Sequence, residues 1–177
     1  YLTGRPRFVW QFPFQEAPNT LDVYSDSDWA GCVHTRRSTS GGVVYHGKHP
    51  ILHWSKLQAN VALSSGEAEL GAQVKAVAEA LGVRNVARDL GLEFCIRCYG
   101  GSSAAWGIMM RVGVGRLKHL EVKHLWVQEF VRSGAVLPVK IGRAHNIADL
   151  MTHPCSVRDL QQPLHQSGLV LRGHSGG

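Results

Sequence analysis

The 177-residue sequence has no run of 18 apolar residues, so no membrane-spanning helix is expected. It has only four cysteines, Cys32, Cys95, Cys98 and Cys155, and their spacing makes no disulfide framework. That scarcity points to a reduced, intracellular setting. Charged residues are few, at 18%, and acids are the rarer sign: 13 Asp and Glu against 19 Lys and Arg, a net charge of +6. A basic balance of that size suits a polyanionic partner. The opening "YLTGRPRFVWQF" has neither an initiator Met nor a signal-peptide layout, and the expectation is a piece of a longer chain. No internal repeat is evident. What is present is a hydrophobic content of 44%, that of one ordinary globular domain.

Punctuation along the chain divides it into elements. Leu21–Asp26 reads as a short strand, Arg36–Gly42 as a loop, and "VVYHG" and "ILHWS" as two further strands split by Gly47 and Pro50. These three strands suggest an antiparallel meander. A helix follows, with Leu70, Val74, Val77 and Leu81 at helical spacing. Ser64 and Glu67 form a capping box at its start, and Gly91 ends it. "FCIRCY" is a fourth strand and "SSAAWGIMMRV" a short helix. A third helix runs from Leu117 to a stop at Gly134, with His124 on its apolar stripe. "AVLPVKIG" is a fifth strand, placed at a sheet edge because Pro138 cannot donate to a ladder. "NIADLMTH" makes a last helical turn, and the chain after Pro154 reads as a loose tail. The order implies an α/β fold with a five-stranded mixed sheet. The first strand lies centrally beside the fourth, with their carboxyl ends at one edge.

Three acids fall where that edge can collect them. Asp26 closes the first strand, on the face shared by Asp22 and Tyr24. Glu67 is claimed by the capping box, which leaves Glu69 without a local task beside Leu70. Asp149 opens the last helical turn. Alone, each is an ordinary turn former or helix-start acid. Together, from three elements, they fit chemistry in which paired divalent ions need converging hard oxygen ligands. Cys95-x-x-Cys98 has no second pair and reads as packing, a zinc module being the remote alternative.

The ordered series "SDWAG…RRSTSG…SSGEAE…NIADLMTH" resembles the ribonuclease H domain of Ty1/copia-type retrotransposon polyproteins, from about Leu21 to His153. The resemblance implies an RNase H fold that cuts the RNA strand of an RNA–DNA hybrid with two Mg²⁺ (or Mn²⁺) ions. It implies Asp26, Glu69 and Asp149 as catalytic metal ligands. It implies residues 1–20 as a link from a reverse transcriptase domain of the same polyprotein, 21–153 as the RNase H-like domain and 154–177 as a flexible tail. The setting it implies is intracellular, in cytoplasmic virus-like particles or the nucleus, with no membrane.

Two positions depart from the family pattern. The third aspartate should precede "SSAA", where this chain has Gly101, and His153 stands where Lys is common. A site short of one acid is expected to hold metal poorly and turn over slowly or not at all, and Asp28, the one nearby carboxylate, is not expected to replace it. Arg36, Arg37, Ser38 and Thr39 in the basic loop, and Ser64 and Ser65 at the long helix's start, are the expected nucleic-acid contacts. His145 is a candidate for assisting product release. The alternative to an impaired nuclease is a non-catalytic hybrid-binding or structural module.

Overall fold

The computed structural model describes residues 8–113, 125–154 and 168–171. The amino-terminal half of the expected third helix, with Leu117, His119, Leu120 and His124, lies outside them, as does Cys155. In chain order the elements are β1 (Phe8–Trp10), β2 (Thr20–Ser27), β3 (Thr39–His46), β4 (His49–Leu57), α1 (Ser65–Asp89), β5 (Cys95–Gly100), α2 (Ser103–Met110), α3 (Trp126–Arg132), β6 (Val136–Lys140), a 3-10 helix (Ile147–Met151) and β7 (Leu169–Leu171).

Five strands form one sheet in the order β4-β3-β2-β5-β6. β2, β3 and β4 are the antiparallel meander, while β5 and β6 run parallel to β2. The strand with Pro138 is indeed an edge strand. β1 and β7, from the expected linker and tail segments, pair antiparallel in a separate ribbon. No described helix is long and apolar enough to cross a membrane.

β2 alternates over its first six residues as a strand with one fully covered face must. Leu21, Val23 and Ser25 are fully buried on the α1 side, where Leu70, Val77, Ile96, Met109, Val127 and Val136 complete the main core. Each such apolar side chain stabilises the fold by roughly 1.5–3 kcal/mol. On the other face, Tyr24 stacks on Tyr99 and meets Tyr45 edge-on. Arg97 donates to both Asp22 oxygens, at 2.5 and 2.6 Å, across the register pair Asp22–Arg97. This two-pronged contact and the buried Val23–Cys98 pair oppose a slip of β5 against β2.

The long helix begins and ends as its sequence dictates. The Glu67 amide donates to Ser64 Oγ at 3.2 Å, while the Glu67 carboxylate accepts from the Leu63 amide, one residue before the expected partner. At the far end Gly91 takes φ +81°, and the Gly91 and Leu92 amides reach back to Arg88 and Ala87 carbonyls. A left-handed residue there is what glycine supplies without strain. Cys95 and Cys98 are three apart on one strand, so they leave opposite faces. Burial pushes the Cys98 thiol up to about 12, which suits packing rather than zinc.

Two boundaries differ from expectation. Pro50, expected with Gly47 to split two strands, lies inside β4. Thr39–Gly42, read as loop, are the first half of β3. The glycine pair is there for close approach, not for a turn. The Trp54 ring covers Gly42, and the 3-10 helix lies on Gly41.

Candidate active site

β2 delivers Asp26 to the carboxyl edge of the sheet. Asp26 is 8% exposed, and its carboxylate accepts a hydrogen bond from the Thr152 hydroxyl. The 3-10 helix brings Asp149 to the same place. Asn146 fixes that helix: its Nδ2 donates to the Ser25 carbonyl at 2.9 Å and its Oδ1 accepts from the Ala148 amide at 3.3 Å. His153 follows, its Nε2 lying 3.9 Å from Asp26 Oδ2. One ligand atom from each of Asp26, Asp149 and His153 lies within 4.8 Å of the other two. Arg143 donates to Asp149 Oδ1 at 3.1 Å from a side chain that is 75% exposed.

Glu69 reaches this edge from the first turns of α1. Its Oε2 is buried without a hydrogen-bond partner. Burial and the Asp26 carboxylate push Glu69 up to about 8, against a hydrogen bond with the Ser27 backbone and the Arg143 charge. Burial, followed by the Asp149 charge, also raises Asp26, while the Thr152 hydrogen bond opposes the rise. The three expected acids are thus brought together as a repelling, half-desolvated group.

Gly101 stands just past β5. The β2–β5 ladder runs as far as the pair Tyr24–Tyr99, two residues short of Asp26 on one strand and of Gly101 on the other. A Cβ there would meet only the Ile141 carbonyl, at 3.8 Å. Asp28 does not fill the gap, because its carboxylate accepts from the Thr39 amide in the loop after β2.

The expected nucleic-acid contacts divide. Arg36 is exposed at φ +57°, and Arg37 donates to the Ala59 carbonyl. Ser38 is fully buried, with Oγ accepting from the Ala30 amide, which leaves it no surface to offer. Thr39 is half-buried at the start of β3. Ser64 and Ser65 are both exposed at the N-terminus of α1. His145 lies in a 3-10 turn beside the aromatic face, lining a 410 Å³ hollow with Asp22, Tyr24 and Tyr45. Sequence reasoning passes over Asn146 and Thr152. An Asn immediately before a helical turn is a capping signal and could have found the first; no local pattern marks the second.

The Glu69 environment sets a pH dependence. The folded protein holds this proton to about pH 8, against an ordinary value of 4.5. Between those values folding takes up a proton, so the metal-free stability from this group is full at low pH and falls as pH rises. The slope reaches at most about 1.4 kcal/mol per pH unit for one proton. Urea unfolding in EDTA across this range should show a flatter profile for Glu69→Gln. A variant profile as steep as the parent's would assign the proton elsewhere.

The sheet order and the acid-lined edge define a ribonuclease H-like domain. LC11-RNase H1, isolated from compost, superposes with a TM-score of 0.58 at 18% identity, over 76% of this chain and 94% of its own. The same protein in complex with an RNA/DNA hybrid gives 0.52 at 17%, over 75% and 94%. At such identity these likenesses speak for the fold. No family model matches the chain. The sequence is 33% identical over 176 residues to the retrovirus-related Pol polyprotein from transposon RE2 of Arabidopsis thaliana, a match covering 96% of this chain and 12% of the polyprotein. It is 32% identical over 136 residues to the corresponding polyprotein from transposon TNT 1-94 of Nicotiana tabacum, covering 75% and 10%. The chain belongs to this family, as the ribonuclease H-like domain of copia-type Pol polyproteins, and spans about a tenth of the length of the relatives it matches.

Proposed function

We propose that this chain descends from an endonuclease that cuts the RNA strand of RNA–DNA hybrids, and that its present site is impaired at Gly101. The supporting observation is that Asp26 and Asp149 place ligand atoms within 4.8 Å of each other, with Glu69 near enough to feel both charges, while the glycine just past β5 has room for a side chain. Two hard divalent ions, the Mg²⁺ or Mn²⁺ pair implied by the family, need several oxygen ligands at once. Three mutually repelling carboxylates and a glycine do not fit that requirement.

Residues 21–153 are the nuclease-type unit in this reading, in one polyprotein with a reverse transcriptase, and 1–20 and 154–177 flank it. Cleavage of a labelled hybrid in Mg²⁺ or Mn²⁺, by this chain and by Gly101→Asp side by side, tests the proposal. Cleavage by the aspartate form alone supports it, and full cleavage by the present chain overturns it.

A second reading, a non-catalytic hybrid-binding module, is favoured by Gly101 itself. Arg36 and Arg37, with Ser64 and Ser65, would then bind phosphates without reading sequence. Replacing Arg36 and Arg37 together with Ala should weaken hybrid binding. It should flatten the dependence of log affinity on log salt by about 1 unit for each phosphate the loop no longer neutralises. An unaltered slope would remove the loop from the binding face.

A further inference from the structure

The donor set at the sheet edge departs from a hard-oxygen site in kind as well as in number. Among the described residues, Asp26, Asp149 and His153 are the one group of three or more His, Cys, Asp or Glu side chains placed to hold an ion. Asp149 and His153 are four residues apart, the first on the 3-10 helix and the second just past its end, so one short segment presents both. That helix is anchored to β2 by Asn146 and Thr152. Beside the group, the buried Glu69 Oε2 lacks a hydrogen-bond partner, and its carboxylate lies close enough to feel the Asp26 and Asp149 charges. A buried orphan oxygen next to two carboxylates is an environment that a cation relieves.

We propose that this edge is a one-ion site of mixed oxygen and nitrogen donors, taking a first-row transition cation such as Co²⁺, Ni²⁺ or Zn²⁺ in preference to Mg²⁺. Mg²⁺ favours oxygen ligands and gives up its water reluctantly, whereas imidazole suits the transition ions. A second ion would have to sit toward Gly101, where no carboxylate waits. The Arg143 side chain is 75% exposed and Asp149 27%, so the arginine can swing into solvent when an ion takes its place on the carboxylate. The inference concerns ion binding alone and holds whether or not the chain cuts nucleic acid.

The test is calorimetric titration of the chain with Co²⁺, Mn²⁺ and Mg²⁺, each without nucleic acid. One Co²⁺ should bind about 100-fold or more tighter than Mg²⁺, following the general affinity order of nitrogen-containing sites. His153→Gln should lose about tenfold or more in Co²⁺ affinity with Mg²⁺ affinity unchanged, as expected when an imidazole ligand is removed. Equal affinity for Co²⁺ and Mg²⁺, or Co²⁺ binding indifferent to His153→Gln, would overturn the proposal. Should that variant fail to fold, NMR of the parent with Co²⁺ decides. Paramagnetically shifted His153 ring resonances support the site, and unshifted ones sink it.

Discussion

Gly101→Asp is expected to cut an RNA–DNA hybrid in Mg²⁺ about 10²–10³-fold faster than the present chain, the effect of a few kcal/mol of charge stabilisation by a better-held metal. The backbone is ready for the change. Gly101 does not occupy the left-handed region, and the nearest atom to an added Cβ is the Ile141 carbonyl at an ordinary 3.8 Å. The new carboxylate would complete four acids from four segments. It would also add repulsion to a group in which burial and neighbouring charge already raise Asp26 and Glu69. The metal-free variant should therefore melt below the parent at neutral pH, and Mg²⁺ should raise its melting temperature more than the parent's. Hybrid cleavage and Mg²⁺ titration, run on both proteins, read these effects together. Equal Mg²⁺ affinity in the two forms would remove Gly101 from the metal site.

Gly41→Ala should damage the fold and the site at once. Gly41 pairs with Asp26 across β2 and β3. A Cβ there would lie 2.5 Å from Met151 Cβ, 2.8 Å from Thr152 Cγ2 and 3.1 Å from the Ala148 carbonyl. All three atoms belong to the 3-10 helix or the residue that ends it, and one is backbone, so the segment must move as a body. Overpacking of this kind costs about 1–3 kcal/mol, read as a lower urea midpoint. The segment carries Asp149 and Thr152, so the shift also opens the Asp26 environment. In the Gly101→Asp background, about 1 Å of displacement should take back roughly 100-fold of the recovered rate. Gly82→Ala is the control. Its Cβ would meet nothing within 4 Å in the middle of α1, and it should stabilise by roughly 0.5–1 kcal/mol. A Gly41→Ala protein as stable as the parent would mean that the helix has slack.

Most of the sheet is legible in the sequence because its signals are local. Turn residues part the meander, Pro138 marks an edge, and the capping box and Gly91 bracket α1. The acids of the edge are legible in part, through elimination: Glu67 has a capping task and Glu69 has none. What escapes is set by packing between distant segments. "STSGG" looks like a turn, yet its glycines serve a Trp54 ring and a helix more than a hundred residues away. Ser38 looks like a surface hydroxyl, but the fold buries it against the Ala30 amide. Thr152 has no periodic or capping signature, and its hydrogen bond to Asp26 exists only once the chain has closed on itself.

The β1–β7 ribbon has a mechanical consequence. Phe8 faces Leu171 and Trp10 faces Leu169, so the two outward-leading strand ends sit side by side. Tension applied through both flanks would load this ribbon's hydrogen bonds one after another, from Phe8 and Leu171 inward, as a zipper opens. Until the ribbon parts, that tension does not reach the five-stranded sheet or its acid-lined edge.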